Sequence, residues 1–74
     1  MTNNDVLRRI RYTFDYNDSQ MIELFASGGK EVTRAEVSDW LKKEEDPETK
    51  ELGDEHLAAF LNGFINEKRG KKEG

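Results

Sequence analysis

Seventy-four residues, 38% of them charged and 34% hydrophobic, carry a formal net charge of −4 and no cysteine. That is enough chain for one domain with a thin core, and there is no disulfide or thiolate metal site to staple it. The acidic balance argues against a non-specific nucleic-acid binder, which must neutralise phosphates with Lys and Arg. Residues 1–5 are polar rather than a secretory leader, and no segment approaches the roughly 18 apolar residues of a membrane span. A soluble cytoplasmic protein is therefore the default expectation.

The charge is uneven. Arg8, Arg9 and Arg11 cluster early, the acids of 44–55 follow, and Lys68, Arg69, Lys71 and Lys72 come late. The first helix is predicted over 5–15, with Val6, Leu7, Ile10 and Phe14 inward and Asn3 or Asn4 as its cap. Arg8, Arg11, Tyr12 and Asp15 then project outward, with Arg11 and Asp15 spaced as an i,i+4 pair. Asn17 and Gln20 have the spacing of a capping box, with Tyr16 and Met21 at the staple positions. They open a second helix over 18–27 that buries Met21, Ile22 and Phe25, with Leu24 beside them. Gly28 and Gly29 end it.

Thr33 and Glu36 form another capping box, and Val32 and Val37 another staple, at the start of a third helix over 34–43. Its inward stripe is Val37, Trp40 and Leu41. Residues 44–53 contain the only proline and no apolar side chain before Leu52, the composition of an exposed acidic loop. The fourth helix, over 54–69, carries the densest apolar stripe: Leu57, Phe60, Leu61, Phe64 and Ile65. Gly70 ends it, leaving a frayed charged tail over 71–74 behind a single helical domain over 1–70. Ala59 and Gly63 lie i,i+4 on its other side. A glycine inside a helix costs roughly 1 kcal/mol relative to alanine, so this smooth strip implies a close neighbour. The neighbour is either another helix of the domain or a docking partner.

The candidate chemistry is thin. His56, the only histidine, is expected to be a surface residue of a first helical turn, where the helix dipole disfavours protonation. The acids of 44–55 miss the alternating spacing of a calcium loop because Pro47 and Lys50 interrupt it and Gly53 is misplaced. Gly28-Gly29-Lys30 lacks the second fixed glycine, the Lys-Ser/Thr pair and the preceding strand of a phosphate loop. No catalytic residue, metal or cofactor is expected.

Two surfaces remain. Arg8, Arg11 and Tyr12 make a small cationic, aromatic patch, with Arg8 and Tyr12 one turn apart and placed for a cation–π contact. Helices two and three have the outline of a helix-turn-helix. In that reading Arg34 and Ser38 face bases while Lys30, Lys42 and Lys43 touch phosphates. Glu31, Glu36 and Asp39 oppose it, and the connector over 28–32 is long for a tight turn.

The run from Phe60 to Lys71, FLNGFINEKRGK, together with Asn4-Asp5-Val6-Leu7-Arg8 and Trp40-Leu41-Lys42-Lys43-Glu44, resembles the YehS-like family of uncharacterised bacterial proteins. The likeness covers nearly the whole chain. It implies two tandem domain copies, of which this chain is similar to the first, and it supplies no catalytic residues.

The expectation is thus an all-α, four-helix domain, with helix-turn-helix-like helices two and three packed on a longer C-terminal helix. Its expected role is a non-catalytic interaction module. It would bind a second copy, as a homodimer or in tandem, or another protein, through Ala59, Gly63, Arg8, Arg11 and Tyr12. The alternative is a nucleic-acid binder acting through Arg34, Ser38, Lys42 and Lys43.

Overall fold

The computed structural model describes residues 1–43 and 45–69. Four helices follow one another: α1 (Asn3–Phe14), α2 (Asp18–Ser27), α3 (Arg34–Leu41) and α4 (Asp54–Arg69). Among the described residues there is no strand. The expectations for Glu44, Gly70 and the 71–74 tail lie outside the described residues.

Three helices start at reciprocal capping boxes, and two of these were legible in advance. Asn17 Oδ1 accepts from the Gln20 amide at 2.8 Å and Gln20 Oε1 accepts from the Asn17 amide at 2.9 Å. Thr33 and Glu36 make the equivalent pair at 3.1 and 2.9 Å. The cap of α1 differs from the expectation. Thr2, not Asn3 or Asn4, accepts from the Asp5 amide, and Asp5 returns the bond to Thr2 N–H. Each box satisfies two of the amides that a helix start leaves unpaired.

Two Schellman turns close α1 and α2. After α2, Lys30 N–H donates to Phe25 O and Gly29 N–H to Ala26 O, with Gly29 at φ +102°. After α1, Tyr16 N–H donates to Arg11 O and Asp15 N–H to Tyr12 O. The left-handed residue there is Asp15, at φ 55°, a conformation that strains any residue with a Cβ. The third helix is shorter than expected. It stops at Leu41, and Lys42 turns to an extended conformation as its cap.

The fully buried side chains are Leu7, Met21, Phe25, Val37, Leu52 and Phe60. Phe25 holds the centre, with its ring centroid 5.1 Å from Phe60 and 5.3 Å from Trp40. Val32 and Tyr16, expected only as staples, are buried core members, as is Leu52. Several expected core residues are only half-covered: Val6, Ile10, Ile22, Leu41, Leu57, Leu61 and Phe64. Phe14 and Ile65 are exposed. The buried face of α4 is therefore turned from the predicted stripe toward Ala59, Phe60 and Gly63. Helix α2 lies directly on that face, and α1 covers the large side chains beside it incompletely.

Candidate functional site

Ala59 and Gly63 are not on a free surface. Both are buried, and the element on them is α2 of the same chain. A Cβ placed on Gly63 would lie 1.8 Å from the carbonyl oxygen of Leu24, and one on Gly28 would lie 1.7 Å from the carbonyl oxygen of Ala59. Each helix thus contributes a glycine where the other's backbone touches it. The smooth strip is occupied by a neighbour within the domain.

The cationic patch is dismantled in a similar way. Arg8 does not project outward. Its guanidinium pairs with Asp5 and donates to Lys42 O at 3.0 Å, satisfying a carbonyl at the end of α3. Among the described residues no cation–π contact joins it to Tyr12, which stands exposed, and no ion pair joins Arg11 to Asp15. Arg11 is half-buried instead. It lines an open hollow of about 300 Å³ with Asp18, Ser38, Leu41 and Lys42. The structure thereby joins Arg11 to Ser38 and Lys42, residues that the sequence assigned to two different surfaces.

The presumed nucleic-acid residues do not form one cationic face. Lys42 Nζ is held by Asp39 at 2.9 Å and Glu48 at 3.4 Å. This pairing keeps the Asp39 carboxyl below its ordinary range and lifts the Lys42 ammonium above its own. Lys43 lines a separate hollow with Asp5, Arg8 and Glu45. Lys30 approaches Glu55 at 3.7 Å. Arg34 is exposed at the start of α3, and the Glu36 carboxylate is engaged by the Thr33 amide of the capping box.

Two features escaped the sequence reading. Asn4 is the one buried polar residue of the described chain. Its Nδ2 donates to Trp40 O at 2.9 Å and Lys50 O at 2.7 Å, and its Oδ1 accepts from Leu52 N–H at 2.9 Å. Asn3 adds bonds to Leu52 O and to Asp54 Oδ1. Residues 50–54 are thus tied to the start of α1, and Leu52 is buried, while most of the described residues of 45–53 are exposed as the composition predicts. Two adjacent asparagines at a helix start read equally well as caps, so nothing local marked Asn4 as buried.

The second feature is an aromatic cluster where the C-terminal ends of α1 and α4 meet. Phe14 packs against Phe64 at 5.0 Å and Tyr16 at 5.7 Å, and Lys68 Nζ sits 4.6 Å above the Phe14 ring. Phe14 stays 41% exposed and Ile65 47%. Tyr16 donates its hydroxyl proton to Glu67 at 3.1 Å. Burial and the adjacent carboxylate push its pKa up to about 12. The period-3.6 pattern flagged Phe14, Phe64 and Ile65 as apolar but could not say that they are left partly uncovered.

His56 is half-buried rather than on the surface, with its ring 5.2 Å from Trp40. Among the described residues no group of three or more His, Asp or Glu side chains is placed to hold a metal ion, and no helix is long and apolar enough to cross a membrane.

A family profile described as "Protein of unknown function (DUF1456)" matches residues 3–70. The chain is 40% identical over 73 residues to the Uncharacterized protein YehS of Escherichia coli (strain K12). That match takes in 99% of this chain but 47% of the relative, so the chain spans about half the relative's length. No solved structure matches the chain.

Proposed function

For a chain that belongs to the YehS-like DUF1456 family, we propose a non-catalytic helical interaction module that binds a second copy of its own fold. The observation that carries this reading is the aromatic cluster at the ends of α1 and α4. There Phe14 and Ile65 keep 41% and 47% of their surface in water beside half-buried Phe64 and Leu61. Exposed large apolar side chains that adjoin one another mark association surfaces more often than single ones do. The relative's greater length leaves room for the tandem copy that the resemblance implies, and such a copy would offer the same apolar face in cis. Self-pairing through one patch on both molecules is the ordinary arrangement of a two-fold dimer.

The nucleic-acid alternative has less support. Its phosphate-contacting candidate Lys42 is already neutralised by Asp39 and Glu48.

Sedimentation equilibrium from low micromolar to near millimolar protein, at low and high salt, tests the proposal. A reversible dimer insensitive to salt is expected, lost in Ile65→Glu with helicity and melting temperature retained. A monomer throughout the range would overturn it, as would a dimer that Ile65→Glu leaves intact. Salt-dependent retardation of duplex DNA would favour the alternative.

A further inference from the structure

We infer that Asn62 and Gly63 form a deamidation site that the α2–α4 contact seals, so that parting these helices opens the chain to an irreversible modification. The site draws on none of the side chains of the aromatic cluster and is independent of self-association.

Asn62 is the only asparagine followed by glycine; Asn3, Asn4, Asn17 and Asn66 precede Asn, Asp, Asp and Glu. A glycine carries no side chain to hinder attack by its own backbone nitrogen, and it frees the torsions that the attack needs. The structure adds a second distinction. Asn3, Asn4, Asn17 and Asn66 engage their side-chain amides in hydrogen bonds. Asn62 is exposed, and among the described residues its amide makes none.

The reaction is closure of a cyclic imide, with water as the only co-reactant. The Gly63 backbone nitrogen gives up its proton and bonds to Asn62 Cγ, and the side-chain nitrogen takes up a proton and leaves as ammonia. Water then opens the ring. Breaking the bond from Cγ to the ring nitrogen gives an aspartyl residue. Breaking the bond from the backbone carbonyl carbon gives an isoaspartyl residue, whose main chain runs through Cγ.

The folded chain blocks this closure twice. A helical ψ of about −42° directs the Gly63 N–H along α4 to the carbonyl four residues back and away from its neighbour's side chain. Across the interface, a Cβ on Gly63 would lie 1.8 Å from the Leu24 carbonyl oxygen, so no room is left to rebuild the backbone there. Asn66 Nδ2 ties the next turn to Ser27 Oγ at 3.1 Å. The pair also lies more than a turn inside either end of α4, beyond the fraying of a helix terminus. Closure therefore requires α2 and α4 to separate, and they make the most extensive helix contact of the fold. The isoaspartyl product has an additional main-chain carbon just before Gly63. Gly63 then falls out of step with Leu24, and the close approach cannot re-form. The aspartyl product only adds a charge on an exposed face. A reversible opening is thus made permanent.

The intact chain is incubated at mildly alkaline pH across a guanidinium chloride series, and its peptides are weighed for replacement of –NH2 by –OH. In full denaturant Asn62 should deamidate ahead of every other asparagine. Below the unfolding transition its rate should follow the unfolded fraction, rising about tenfold for each 1.4 kcal/mol of stability removed. Asn4→Ala, remote from the pair, should speed the reaction by the factor that its own loss of stability sets. The isolated isoaspartyl chain should lack native helicity, while Asn62→Asp retains it. A rate in native buffer equal to that in denaturant, or one indifferent to stability, overturns the seal. Uniform deamidation of all asparagines in denaturant overturns the site, and an isoaspartyl chain with wild-type helicity overturns the permanence. If Asn4→Ala does not fold, the wild-type series still decides.

Discussion

Replacing Gly63 with alanine tests the central contact of the fold. On an isolated helix the change stabilises, by roughly 1 kcal/mol, because alanine is the better helix former. Within this fold the new methyl would sit 1.8 Å from the Leu24 carbonyl oxygen. Reaching ordinary contact, near 3.4 Å, requires α2 and α4 to part by about 1.6 Å. No rotamer relieves the clash, since the obstacle is backbone. A radial gap of only 0.5–1 Å already forfeits about a quarter to a half of the dispersion attraction across a contact. The cost should therefore reach the upper end of the ~1–3 kcal/mol typical of overpacked cores, or exceed it. After the propensity gain, a net loss of about 2 kcal/mol or more is expected. A 74-residue domain holds roughly 4–11 kcal/mol in all, so the melting temperature should fall by about 8–16 °C.

Urea unfolding followed both by circular dichroism and by the fluorescence of Trp40, the single tryptophan, measures this directly. Asn62→Ala, on the exposed side of the same helix, is the control and should stabilise by about 0.5 kcal/mol. If Gly63→Ala also stabilises, the close approach of α2 and α4 is wrong, and the strip is free for another partner.

Asn4→Ala strips three hydrogen bonds, two of them buried, and takes the side-chain partner from Leu52 N–H and from the Trp40 and Lys50 carbonyls. A loss of roughly 2–4 kcal/mol is expected, with faster hydrogen exchange at Leu52; an unchanged Leu52 protection factor would mean that water replaces the side chain. Asp15→Gly relieves the positive φ and removes a carboxylate from the negative end of α1. It should gain about 0.5–1 kcal/mol in thermal unfolding, and a loss would show that Asp15 has a partner in solution. Tyr16 has a folded pKa of about 12 against an unfolded 10.0. The folded state therefore holds this proton more tightly, and its contribution is complete below pH 10 and lost as pH rises from 10 toward 12. Tyr16→Phe should remove the phenolate step near pH 12 seen at 295 nm and flatten that part of the stability profile; a persisting late step would assign it elsewhere.

Much of this architecture could be read before any coordinates. The spans of α2 and α4 follow from local grammar: Asn17 with Gln20, the paired Gly28 and Gly29, and the acidic start and basic end of 54–69. Those signals act within one turn of helix, so the sequence states them in full. The candidate site was harder to read. Arg8 and Arg11 are three residues apart on one helix, yet one caps the end of α3 and the other is half-buried beside an open hollow. Their difference arises from what lies opposite, residues 31 and 34 positions along the chain at Lys42. Asn4 likewise looked like a cap until Trp40, Lys50 and Leu52 surrounded it.

The sequence by itself determined that this is a helical domain, where two of its four helices, α2 and α4, begin and end, and which family it joins. The tertiary structure alone decided which face of α4 is covered. Periodicity registers how much apolar area a helix carries and in which direction it points. Covering that area depends on backbone separation, and here glycines at 28 and 63 let α2 sit on the small-residue side while Phe14 and Ile65 remain partly in water.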